Sequence, residues 1–156
     1  LNDIGYSQAQ PTETTMAKCN QLLDYLHTHS TATIRYHKSD MKLFIDSDAA
    51  YLVAPKARSR IAGYYYLGNN QTLQPSTSEI TTFLNGPVHV ECKTLKHVVS
   101  SAAEAETGGL YSNCTFAITL KQMLKALGHP QGSTPVKTDN QTASAFVNNN
   151  FQGKTQ

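Results

Sequence analysis

The amino-acid sequence predicts an α/β protein with a mixed central sheet flanked by helices, and the order of its periodic segments carries that prediction. The strand-like segments are residues 41–47, 60–67, 88–92 and 134–138. The helical segments after the third strand are residues 100–127 and 142–148. Three consecutive strands can pair as an antiparallel meander, whereas a strand reached through a helical crossover is expected to lie parallel to a neighbour.

Each of these elements is predicted from its apolar pattern and from the residues that end it. Residues 43–45 are apolar on both faces, as expected of a central strand. The second strand stops at the turn-forming residues 68–70, and the third alternates apolar with polar residues. The long helix ends at Gly128, and a proline follows two residues later. We assign residues 51–58 and 71–85 to loops.

The N-terminal part of the chain predicts one further helix at residues 11–29. Its apolar positions recur every three or four residues, at Met16, Cys19, Leu22, Leu23 and Leu26. That spacing predicts an amphipathic helix with one buried stripe. Residues 32–37 read as a strand, because Ile34 and Tyr36 alternate with polar neighbours.

Length and composition narrow the class of protein. A chain of 156 residues is the size of an ordinary domain, and 39% hydrophobic with 15% charged residues fits a globular protein. No apolar stretch approaches the roughly 20 residues that a membrane helix needs, so we expect no membrane partner. The three cysteines form no close pair and no CxxC motif, which argues for reduced thiols and an intracellular location.

Charge is unevenly distributed, although the net charge is only +2. The basic residues from position 93 onwards are Lys93, Lys96, Lys121, Lys125, Lys137 and Lys154, and the acidic ones are Glu104, Glu106 and Asp139. If those acids bind metal, the rest of this half is net positive, which suits a polyanion such as nucleic acid. A scattering of solvated lysines would give the same composition.

Three acidic residues stand where a carboxylate is hard to explain structurally. Asp46 ends an apolar run, Glu106 lies at the start of the long helix, and Asp139 ends the fourth strand. Two strand ends and a helix start can converge, and three converging carboxylates repel one another unless a cation lies between them. The pattern therefore predicts a divalent-metal site, and it favours metal-assisted phosphodiester cleavage as the chemistry.

Each acid also has a purely structural explanation. At about 100° per residue, Glu106 heads the apolar stripe of the long helix while Glu104 faces solvent. Glu106 could instead lie at the rim of the core, where an acid favours a helix N-terminus. Asp46 and Asp48 share one face of their strand, so either could bind metal, and Asp48 could simply begin a turn. Asp139 could cap the following helix.

A series of short motifs runs through most of the chain, at residues 6–8 with 11–12, residues 22–27, residues 45–49 (IDSDA), residues 58–60 with 63–64, residues 101–106 (SAAEAE) and residues 138–143 (TDNQTA). The order of these motifs resembles the ribonuclease H domain of copia-type LTR retrotransposon polyproteins. Each motif alone is weak, but the set is specific in this order and at these spacings. The first two segments resemble the connection to that family's reverse transcriptase. The chain would then divide into a connection with its helix, residues 1–38, and a ribonuclease H-like domain, residues 39–156.

The resemblance implies a ribonuclease H-like fold whose first three strands are antiparallel. It also implies Mg²⁺-dependent hydrolysis of the RNA strand of an RNA–DNA hybrid. Asp46, Glu106 and Asp139 match three of the family's four catalytic carboxylates, and they would hold two Mg²⁺ ions that Mn²⁺ could replace. Asp46 would be shared by both ions, with Asp48 as an outer-shell helper.

The resemblance also implies partners and a location. The partners would be the hybrid and the reverse transcriptase portion of the same polyprotein, in the cytoplasm, a virus-like particle or the nucleus. The residues expected to contact nucleic acid are Arg58, Arg60, Lys93, Lys96 and Asn140. The loop at 51–60 and the region at 93–97 would bring positive charge beside the active face and so contact the phosphate backbone.

The chain departs from the family pattern at two places. No acid follows Asp139, where the family carries a fourth acid on a final helix, and Ala49 stands where the family commonly has tryptophan. The final helix would then be incomplete, and we expect weak activity that favours Mn²⁺. The alternative is a catalytically weakened or inactive ribonuclease H-like domain that binds nucleic acid or another part of the retroelement protein.

Overall fold

The structure is a computed structural model that describes residues 1–69 and 85–148. The chain divides into two compact units, Leu1–Arg35 and Tyr36–Gln156. The predicted loop at residues 71–85 lies outside the described residues, except for Asn85. The region after residue 148, where the incomplete final helix was expected, also lies outside them.

The first unit contains helix α1 (Asn2–Tyr6) and helix α2 (Glu13–Thr28). Thr12 and Thr15 cap α2 reciprocally, because each hydroxyl accepts a hydrogen bond from the other residue's backbone N–H, at 3.3 and 3.2 Å. The helix was predicted from its spacing, but the predicted buried stripe is wrong, since no residue of α2 is buried. Helix α1 is only five residues long and offers too little apolar surface to cover that stripe.

The second unit is built on a four-stranded mixed sheet. Its strands are β1 (Lys42–Ala54), β2 (Arg58–Gly68), β3 (Pro87–Thr94) and β4 (Val136–Lys137), in the order β3-β2-β1-β4. The first three strands pair antiparallel, and β4 pairs parallel to β1. The α/β class, the antiparallel meander and the parallel fourth strand are therefore confirmed.

Two helices complete the second unit, α3 (Ala102–Ala126) and the short α4 (Gln141–Val147). The main core forms between α3 and the sheet, from Leu43, Ile45, Tyr65, Leu67, Ala117 and Leu124. Helix α3 ends before Gly128, whose φ of +88° is the left-handed conformation that glycine adopts readily. Within the described part of the chain, no helix combines the length and the apolar character that crossing a membrane requires.

Two local predictions are wrong. Residues 32–37 form no strand. The side chain of Asn85 takes the place of a strand partner, because it accepts a hydrogen bond from the His37 N–H and donates one to the His37 carbonyl. Residues 51–54, predicted as loop, are the end of β1, where pairing with β2 resumes after an irregularity between Ala50 and Ala54. Leu52 has a left-handed φ of +54°, and the regular alternation of buried and exposed side chains along β1 is lost in this stretch.

Candidate metal centre

Three carboxylates converge at the edge of the sheet where β4 ends. Asp48, Glu106 and Asp139 each offer an oxygen within 4.8 Å of the others. Asp48 comes from β1, Glu106 from the first turns of α3, and Asp139 from the residues just after β4. Strand β4 runs parallel to β1 and its pairing ends opposite Asp46, so the residues that follow β4 lie beside the middle of β1, where Asp48 is found.

The short length of β4 opens the place that Glu106 occupies. The pairing of β4 with β1 ends where Lys137 lies opposite Asp46. Past that point, Oε1 of Glu106 accepts a hydrogen bond from the Ala49 N–H at 3.2 Å, on the edge of β1 that β4 no longer covers. Oε2 of the same carboxylate lies 3.5 Å from the Thr138 hydroxyl, at the limit of a hydrogen bond.

Glu106 is the buried member of the group, with 5% of its surface exposed, whereas Asp48 and Asp139 are exposed. Burial raises the pKa of Glu106, and the negative charges of Asp48 and Asp139 raise it further. The Ala49 and Thr138 hydrogen bonds act in the opposite direction. A cation placed among the three carboxylates would favour the ionised form and remove the repulsion.

The neighbouring acid, Glu104, has a structural role. It is exposed, as predicted, and its Oε2 accepts hydrogen bonds from the Ser100 N–H and hydroxyl, both at 2.7 Å. Those bonds lower the pKa of Glu104. The rotation of about 100° per helical residue thus correctly predicted that Glu104 faces solvent, and Glu106 is the acid that faces the sheet.

Asp46 lies outside the group of three. It shares a sheet face with Asp48, two residues or about 7 Å along the strand. Its neighbours across the sheet are Lys137 on β4 and Tyr64 on β2. The pKa of Tyr64 is raised by burial first, and then by the charges of Tyr36 and Asp46. Sequence reasoning left both strand acids open as metal ligands, and the geometry brings Asp48 to Glu106.

The residues expected to contact nucleic acid have different surroundings. Arg58 donates to the Leu95 carbonyl at 3.3 Å, and Lys93 forms an ion pair with Glu91 at 2.8 Å. Lys96 is exposed.

Two more of these residues lie next to the segments that carry the acids. Arg60 lies opposite Ala50, so it occupies the sheet face of Asp48. The side-chain oxygen of Asn140 accepts a hydrogen bond from the Ala143 N–H at 2.9 Å and so caps α4. Asn140 therefore has the capping role that the sequence offered as the structural explanation for Asp139.

The donor set fits a hard divalent cation. All three ligands are carboxylate oxygens, which suit Mg²⁺ and Mn²⁺, and no cysteine or histidine joins them in the described part of the chain. An octahedral ion would take its remaining ligands from water or substrate oxygens, as Mg²⁺ sites commonly do. Sequence reasoning missed Thr138 and the Ala49 amide as partners of Glu106. The only signal for Thr138 was its position next to Asp139.

No protein-family model matches the chain, and no curated protein or solved structure matches it either. The class of this protein is therefore described by its fold and by the residues of its candidate site. The second unit is an α/β fold with a four-stranded mixed sheet packed against helices, and its Asp48, Glu106 and Asp139 could bind a metal ion.

Proposed function

We propose that this protein is a metal-dependent nuclease that hydrolyses the RNA strand of RNA–DNA hybrids. One observation carries the proposal: a nearly fully buried carboxylate, Glu106, lies within 4.8 Å of two other carboxylates, Asp48 and Asp139. Such an arrangement is costly for a protein unless a cation offsets the repulsion. The hybrid as substrate comes from the resemblance of the motifs to copia-type ribonuclease H domains.

The chain's own residues would divide the work at this site. Asp48, Glu106 and Asp139 would hold the ions, which when bound would activate water and stabilise the leaving oxygen. The Ala49 N–H and the Thr138 hydroxyl would orient the Glu106 carboxylate. Since Asp48 and Asp139 are exposed, a substrate phosphate could reach the ions from the solvent side.

The ribonuclease H-like fold is part of the same proposal. An antiparallel meander, a long helix and a parallel fourth strand next to β1 occur in the order that this fold requires. The proposal also includes the reverse transcriptase portion of one polyprotein as a partner, and a location inside the cell. Lys96 is exposed and Arg60 lies on the sheet face of Asp48, so we expect these two basic residues to contact substrate phosphates.

The second candidate is a hybrid-binding domain without activity. It is favoured by Asp46 lying outside the group of three. Three carboxylates would hold a second ion weakly, and two ions are the basis of the in-line displacement.

Cleavage of a labelled RNA–DNA hybrid in Mg²⁺ and in Mn²⁺ separates the two candidates, with duplex DNA and duplex RNA of the same sequence as substrate controls. We expect cleavage of the RNA strand of the hybrid alone. Asp48→Asn should lower the rate of RNA cleavage by about tenfold to a hundredfold, the usual effect of losing a residue that supports a metal site.

Asp46→Asn is the matched control, because it removes the same charge two residues away on the same strand face. Hybrid binding without cleavage by the unchanged protein would support the inactive domain. If Asp48→Asn kept full activity and Asp46→Asn were inactive, the metal ligand on β1 would be Asp46 and not Asp48.

A further inference from the structure

We propose that Asn113 is a positioning residue, which clamps α3 to β1 and so fixes the separation of Glu106 and Asp48. The inference rests on the proposed function, because it concerns the geometry of the same acidic group. It assigns a role to a polar core residue that the metal chemistry itself does not use.

Asn113 joins three elements through one buried amide group. It is 1% exposed. Its Nδ2 donates to the Ser47 hydroxyl at 2.8 Å and to the Ala62 carbonyl at 2.9 Å, while its Oδ1 accepts from the Tyr65 hydroxyl at 2.9 Å. Both amide hydrogens and the oxygen are thus engaged, and the bonds connect α3 to β1 and to β2.

Asn113 is the last of three helix residues that meet β1 within a span of three strand residues. Glu106, Gly109 and Asn113 recur at intervals of three and four, so they lie on one helix face. Glu106 bonds the Ala49 N–H, and a Cβ on Gly109 would stand 3.6 Å from the Asp48 carbonyl. The strand segment that these residues contact includes Asp48 itself.

Gly63 leaves the space that this clamp needs. It lies directly opposite Ser47 in the β1–β2 register. A Cβ at position 63 would approach Oδ1 of Asn113 to 2.5 Å and the Tyr65 ring to 2.8 Å. Any side chain there would push the amide group out of its place, so the sequence combines a buried asparagine with a glycine that accommodates it.

A merely stabilising role and a positioning role predict different results. If Asn113 only stabilised the core, its loss would lower the free energy of unfolding and leave Glu106 against β1. If it positions the helix, the Glu106–Ala49 contact should loosen before the unit unfolds. The Ala49 amide reports this contact without any metal, because its N–H bonds to the Glu106 carboxylate.

The test compares three variants by native-state hydrogen exchange and by Mn²⁺ titration. Asn113→Leu removes the whole amide group, and Ser47→Ala removes one of its acceptors with little risk to folding. Leu124→Ala is the control, because it destabilises the same core from the far end of α3, about 27 Å from Glu106 along the helix. Exchange is compared after correction for each variant's global stability.

We expect the corrected protection of the Ala49 amide to fall about tenfold in Asn113→Leu, by less in Ser47→Ala, and not at all in Leu124→Ala. Mn²⁺ affinity should follow the same order. Unchanged Ala49 protection in Ser47→Ala and Asn113→Leu, or an equal loss in the control, would overturn the inference. A selective loss of protection in a protein that binds no Mn²⁺ would uphold the clamp and refute the proposed function.

Discussion

Glu106 shows at the scale of a single residue how the fold creates a site. Its carboxylate is buried by the helix and strand, accepts one backbone N–H, and faces two further carboxylates. Burial and the nearby negative charges both raise its pKa. The folded protein therefore holds a proton at Glu106 more tightly than the unfolded chain does, and this has a consequence for stability.

Stability without divalent cations should decrease with pH because of this residue. Between the ordinary carboxyl pKa of 4.5 and the raised pKa of Glu106, the folded state binds more protons than the unfolded state. The free energy of unfolding must therefore fall as pH rises through that interval, and its contribution from Glu106 is largest below it.

Urea denaturation in the presence of a chelator, across a pH series, measures this dependence. Glu106→Gln should flatten the fall and be more stable by roughly 1 kcal/mol above the interval, since an amide keeps the acceptor for Ala49 and carries no charge. Asp24→Asn, on the first unit, is a control that should leave the slope unchanged. An identical slope in Glu106→Gln would contradict the account of this carboxylate.

The residues of the site could be inferred from the sequence only in part. Element ends predicted that Glu106 and an acid from each of two strands would lie near one another. Alternation along β1 could not separate Asp46 from Asp48, because both lie on one face. The separation depends on where β4 stops, at Lys137, and a strand of two residues has no periodicity from which its end could be predicted.

At the scale of elements, α3 connects folding to the site, since it carries both Glu106 and Asn113. Its N-terminus is capped by Ser101, whose hydroxyl accepts from the Glu104 N–H at 3.1 Å. A capped first turn keeps the helix regular up to Glu106, only five residues further on. The cap is thus the nearest local determinant of where the buried carboxylate lies.

Loss of this cap should destabilise the second unit. Ser101→Ala should lower its free energy of unfolding by about 1 kcal/mol, the usual effect of removing an N-cap hydroxyl. Thr12→Ala is the matched control, because it removes the equivalent cap of α2 in the first unit. Hydrogen exchange of core amides such as Tyr65 would measure the effect. Equal protection of these amides in Ser101→Ala and the unchanged protein would contradict it.

The elements that the sequence predicted well are those with a long, regular apolar pattern. The helix predicted at 100–127 is observed as Ala102–Ala126, and the strand predicted at 60–67 as Arg58–Gly68. The failures have tertiary causes. Residues 32–37 alternate like a strand, but the backbone of His37 bonds to the Asn85 side chain, and residues 51–54 lie at an irregularity in the pairing with β2. Neither feature leaves a local signature.

At the scale of the whole molecule, the fold class followed from connectivity. Three consecutive strands and one strand after a long helix allow few arrangements, and the observed order β3-β2-β1-β4 is one of them. The same topology explains why the acids meet, since it sets β4 beside β1 and packs α3 against β1 and β2. The proposed function depends on the group formed by Asp48, Glu106 and Asp139, and its first requirement is that this group binds a metal ion.

Calorimetric titration with Mn²⁺ at neutral pH tests that requirement most directly, on the unchanged protein, Glu106→Gln and Asp46→Asn. We predict saturable binding by the unchanged protein, a loss of at least about tenfold in affinity for Glu106→Gln, and a much smaller change for Asp46→Asn. Binding would also stabilise the fold, by about 2.7 kcal/mol at a hundredfold excess over Kd. No saturable binding, or equal affinity for the unchanged protein and Glu106→Gln, would contradict the assignment of Asp48, Glu106 and Asp139 as a metal centre.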